Sequence, residues 1–207
     1  MTELSIWTLL SMSLIVGMIH AFDADHVVAM SSFVNHSSKV KAIIGYAFKW
    51  GVGHGGTILM LAAVVVLTGF MLPEQWTQYA ETAVGAALVI LGFRLIYQTP
   101  RLQNNGNDQA IQSSLPANRL IPLLMGILQG VAGSTSVISL LPTMSQNEFL
   151  GYVALFSFGC LVSMSCLGVG FAYSHELIRN KFTQYAPRVN QFIGLISIGL
   201  GSYWLMS

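Results

Sequence analysis

The chain has 207 residues but only nine Lys and Arg and eight Asp and Glu, so 8% of it is charged against 54% hydrophobic, with a net charge of +1. A soluble domain carries about 25% charged residues, and so few charges cannot cover a water-facing globule. The composition excludes a soluble enzyme, a disordered chain and a coiled coil, and it points to an all-α integral membrane protein.

Six apolar windows of spanning length are predicted, at 4–31, 42–70, 80–97, 120–141, 149–173 and 189–206. The first opens on Glu3 with no basic stretch before it and ends in His20-Ala-Phe-Asp-Ala-Asp-His26, so it reads as a retained helix and not as a cleaved leader. The first two windows exceed the minimum length and carry polar residues near their middles, which predicts tilted, kinked or interrupted helices. The second is rich in glycine, at Gly51, Gly53, Gly55 and Gly56. Between the third and fourth lies the long polar stretch 98–118, read as a cytoplasmic linker loop joining a first three-helix repeat, 1–97, to a second, 119–207. Cys160 and Cys166 share one apolar run, six residues apart and pointing about 120° from each other on a helix, so they read as small packing residues and not as a bridge.

Basic residues gather in alternate connections. Lys39, Lys41 and Lys49 flank the first, Arg94, Arg101 and Arg119 the third, and Arg179, Lys181 and Arg188 the fifth, whereas the second and fourth hold Glu74 and Glu148. The positive-inside rule then places both termini outside the cytoplasm. An offset of 109 aligns Gly17 with Gly126, Leu14 with Leu123, Val28 with Val137, Gly85 with Gly194, Leu91 with Leu200 and Gly92 with Gly201. Three helices separate the copies, so each copy would cross the membrane in the opposite sense, as inverted repeats do.

Ionisable groups inside a membrane are costly and mark function by default. The first window holds His20, Asp23, Asp25 and His26 within seven residues. At about 100° per residue, His20, Asp23 and His26 fall near 0°, 300° and 240° on one stripe, while Asp25, near 140°, needs a bend or a role behind the ligands. His54 arrives from the second, antiparallel window at a depth close to that of His20. Imidazoles with carboxylates form a nitrogen and oxygen site suited to nickel, cobalt, zinc or copper(II). Asp25 is either a ligand or the carboxylate that orients an imidazole. A buried His–Asp network that stiffens the bundle, or a proton relay, uses the same residues.

The offset pairs His20 with Gln129, Asp25 with Ser134, His26 with Thr135 and His54 with Ser163. These second-half residues read as close-packing positions in preference to weak oxygen contacts. His36 and His175 fall in cytoplasmic connections and read as solvated. The ten methionines, Met18, Met30 and Met164 among them, read as lipid-facing filler.

The segment from Gly17 to Val27, with His20, Asp23, Asp25 and His26, resembles the H-x4-D-H signature of the nickel/cobalt transporter family. Phe48-Lys-Trp-Gly-Val-Gly53-His54 resembles that family's second motif. The short build, with Leu124-Met-Gly126-Ile-Leu-Gln129-Gly130-Val-Ala-Gly133-Ser134, is most similar to its UreH-like, urease-accessory membrane branch. Ile19 stands where the family often has Arg, Gln129 replaces a common His, and the family's later acidic motifs have no match. The resemblance implies a carrier that brings divalent nickel or cobalt through the cytoplasmic (inner) membrane of a prokaryote, with His20, Asp23, Asp25, His26 and His54 on the metal. No phosphate-binding loop is present; neither catalysis, a cofactor nor nucleic acid is expected, and the metal is the substrate. Export of metal, a proton-coupled carrier of small solutes, or a non-transporting accessory role beside a metallochaperone or metalloenzyme-maturation partner are the alternatives.

Overall fold

The computed structural model describes residues 3–34, 40–104, 120–181 and 184–206. Among them it is all α-helix apart from turns: α1 (Glu3–His20), α2 (Ala24–Val34), α3 (Val40–Thr68), α4 (Glu74–Asn104), α5 (Ile121–Ile138), a 3₁₀ turn at Leu141–Thr143, α6 (Gln146–Lys181) and α7 (Ala186–Met206). Five helices are long and apolar enough to cross a membrane, and six spans result when α1 and α2 count as one span bent by 47°.

Local chemistry sets the helix ends. Gly69, at φ 69°, stops α3 in the left-handed conformation that glycine adopts without strain, and its N–H closes on the Val65 carbonyl at 2.9 Å. Ser145 and Glu148 form a capping box at the start of α6: Glu148 Oε2 accepts from the Ser145 N–H at 3.0 Å, and the Glu148 N–H donates to Ser145 Oγ at 3.4 Å. Pro122 lies in the first turn of α5, where its missing N–H costs nothing.

The first window is interrupted, one of the forms its polar middle predicts: it is two helices parted at Ala21–Asp23. The second shows no interruption: despite its glycines it is one unbroken helix, because Gly51, Gly53 and Gly55 serve close packing. A methyl on Gly53 would overlap the Leu123 carbonyl of α5, and one on Gly126 would overlap the Trp50 carbonyl of α3. The α1–α6 seam is built the same way from Gly17 and Gly159. Helix α4 continues to Asn104, so residues 98–104 of the stretch read as a linker are helical, and 105–119 lie outside the described residues.

Helix α1 runs parallel to α6, α3 lies along both α5 and α6, and α4 runs antiparallel to α7, with Gly85 against Gly201 and Gly92 against Gly194. Ser197 of α7 donates to the Leu88 carbonyl of α4 at 2.7 Å. Short α2 touches α3, α4, α6 and α7. The core gathers Ala21, Met30, Ala47, Trp50, Leu88 and Met164 in one cluster, and Ile58, Phe149, Val153, Phe156 and Cys160 in another. Met30, which the bend carries inward on α2, and Met164 of α6 are thus buried in the core and do not face lipid; Met18 is exposed. The outer surface is apolar, with Leu67 81% and Ile90 66% exposed. Such a surface is matched to lipid, not water. Trp7, Trp76 and Tyr203 stand at one end of the helices and Tyr97, Tyr173 and Tyr185 near the other, as in the aromatic belts of membrane interfaces.

Candidate metal centre

The break between α1 and α2 makes the site. Phe22 N–H donates to the Ile19 carbonyl at 2.9 Å and Asp23 N–H to the His20 carbonyl at 3.0 Å, tightening the last turn of α1. The Asp23 carbonyl then accepts from Val27 N–H at 3.0 Å and opens α2. His20 is therefore the last residue of α1, and His26 sits in the first turn of α2. His54 stands at the midpoint of α3.

The three imidazoles converge. Ring centroids are 5.1 Å apart for His20 and His26, 5.4 Å for His20 and His54, and 4.8 Å for His26 and His54. One ring nitrogen from each lies within 4.8 Å of those of the other two. His54 is fully buried and His26 is 3% exposed. His20 Nε2, His26 Nε2 and both nitrogens of His54 are buried without a hydrogen-bond partner. Buried polar atoms are nearly always satisfied, so three such nitrogens, one from each ring and close to one another, form a site that a cation fits.

The carboxylates stand on the other side of the rings. His20 Nδ1 is 2.7 Å from Asp23 Oδ2, and His26 Nδ1 is 3.0 Å from Asp25 Oδ1. Asp23 and Asp25 also form a second potential metal-holding group with His26, in which Asp23 is the exposed member. Asp25 lies against His26 Nδ1, and a carboxylate on that nitrogen leaves Nε2 free to face a metal. Of the five predicted residues, the structure brings His20, His26 and His54 face to face and sets Asp23 and Asp25 behind two of them.

Four residues enter the site that the sequence reading did not assign to it. Trp50 packs on His26 with centroids 5.6 Å apart, and Phe156 on His20 at 5.4 Å. Gly133 of α5 faces the triad: a Cβ there would lie 3.7 Å from His20 Nε2 and 3.8 Å from His54 Cε1. Gln129, read as a packing residue, is 2% exposed and hydrogen-bonds both Trp50 and Asp25. A buried amide in an apolar run has to find partners, and that was the available signal. The side chains of His36 and His175 lie outside the described residues. Cys160 is buried, Cys166 is exposed, and both are free thiols.

Fold and site together define a multi-pass helical membrane protein with a buried imidazole cluster at a helix break. No protein-family model and no solved structure matches the chain. It is similar to the urease accessory protein UreH of Bacillus sp. (strain TB-90), with 25% identity over 228 residues, covering 99% of this chain and 100% of that protein. This end-to-end likeness supports the resemblance to the UreH-like branch of the nickel/cobalt transporter superfamily.

Proposed function

We propose that the protein carries divalent nickel or cobalt across the cytoplasmic membrane into the cell, with His20, His26 and His54 as the station where the ion is held inside the membrane. The observation that carries this reading is the convergence of buried, unpartnered imidazole nitrogens at the midpoint of α3. Neutral imidazoles suit borderline divalent metals, and Asp23 and Asp25 offset the charge of the ion. The membrane potential supplies the drive, about 2.3 kcal/mol per charge per 100 mV, or roughly 4.6 for a dication.

We read the helices as two inverted repeats around that station, and two features support this. The Gly126 and Gly53 seam repeats the Gly17 and Gly159 seam, and the Leu88–Ser197 bond joins residues 109 apart. In this reading α3 and α6 correspond at an offset of 106, which pairs His54 with Cys160 in place of Ser163 and Trp50 with Phe156. The termini lie outside, because the basic residues fall at the opposite helix ends.

Uptake of labelled nickel and cobalt into proteoliposomes, driven by an inside-negative potential, tests the reading. Accumulation in the lumen supports import, and no movement of either metal overturns transport. In cells, an exporter would lower the metal content. The likeness to a urease accessory protein favours a second reading, a non-transporting partner in urease maturation. In that case liposomes would take up nothing while the purified protein still bound nickel.

A further inference from the structure

The amide of Gln129 lies between two groups of opposite demand. An indole N–H can only donate, so the Gln129 atom 2.6 Å from Trp50 Nε1 must be the amide oxygen. That fixes the amide nitrogen at the other corner, where it donates to Asp25 Oδ2 at 3.2 Å. Asp25 stands in the first turn of α2, where the free N–H groups and the helix dipole favour a carboxylate. With Oδ2 taken, Oδ1 faces His26 Nδ1 at 3.0 Å. A carboxylate has no proton to give, so the proton of that contact belongs to His26.

We propose that Trp50 and Gln129 are positioning residues that hold His26 with its proton on Nδ1, so that the lone pair of Nε2 faces His20 and His54. One donor-only group at the far end sets the direction of every bond in the series Trp50, Gln129, Asp25, His26. Trp50 is 1% exposed and Gln129 2%, so water offers no rival partner. Gln129 belongs to α5, so the second half of the chain governs the protonation pattern of a histidine in the first. Neither nitrogen of His54 has a partner, so nothing comparable orients that ring. The tautomer assignment stands on geometry alone, while its consequence for metal rests on the reading of the triad given above.

The test is long-range ¹H–¹⁵N correlation of ¹⁵N-histidine protein, purified without metal, with the His26 signals identified by their loss in His26→Gln. The parent is expected to show His26 protonated on Nδ1 and bare on Nε2. Gln129→Leu and Trp50→Phe should both admit the Nε2–H form and weaken nickel binding by about 10- to 100-fold, as loss of an outer partner of a ligand does. Trp50→Phe keeps an aromatic ring against His26 and removes only the N–H, so it decides the matter if Gln129→Leu does not fold. His26 protonated on Nε2 in the parent, or an unchanged tautomer in Trp50→Phe, overturns the proposal. If the parent binds no nickel or cobalt but shows Nδ1–H on His26, the metal reading fails and the positioning role stands.

Discussion

A single absent side chain controls the open side of the triad. At Gly133 an added methyl would meet its neighbours at 3.7 to 3.9 Å, ordinary contact distances, so Gly133→Ala should fold. The methyl would nonetheless stand beside His20 Nε2 and His54 Cε1, where an ion would sit if the triad holds one as proposed. Gly133→Ala is expected to keep its unfolding midpoint and lose nickel binding, as read by calorimetry; undiminished affinity would place the ion elsewhere. His20→Ala, His26→Ala and His54→Ala should each reduce uptake by more than the roughly 10- to 100-fold typical of an outer partner, with insertion unchanged by membrane fractionation. Metal binding needs neutral imidazoles and protons compete for them, so affinity should weaken as pH falls, with protons released per metal bound; zero release would remove histidine from the ligand set. The histidines were legible because charge and imidazole are rare in an apolar run. Gly133 and Trp50 were not, since a glycine and a tryptophan in a membrane helix are ordinary until the neighbouring helix is in place.

Among the helices, sequence showed the spans but not what breaks them. Polarity around Asp23 and glycines around Gly53 looked alike as causes of interruption, yet only the first interrupts. Asp23 turns its side chain to His20 while its carbonyl opens α2, whereas helix α5 packs directly on Gly53. This difference is testable within α3. Gly53→Ala would press a methyl on the α5 backbone and should cost about 1–3 kcal/mol, the usual penalty of overpacking. Gly56→Ala meets nothing within 4 Å and should be neutral or stabilising by up to about 1 kcal/mol from helix propensity. Reversible unfolding in mixed detergent micelles compares the two, and equal stability would contradict the close α3–α5 seam.

For the whole molecule, the charge pattern predicts an orientation that can be checked. A thiol replacing Glu74 or Glu148 should react with an impermeant reagent added to intact cells, and one replacing Gln103 should not; the reverse pattern inverts the topology. The architecture also has a mechanical side. The bend at Ala21–Asp23 puts the three imidazoles on three separate rods, α1, α2 and α3. On the proposed reading, an ion gripped by all three would latch α1 to α2 across the unwound stretch of that span, and release of one nitrogen would unlatch it. Loading and stiffness then become a single variable, and amide exchange at Ala21, Phe22 and Asp23 should slow when nickel is added and recover when a chelator strips it.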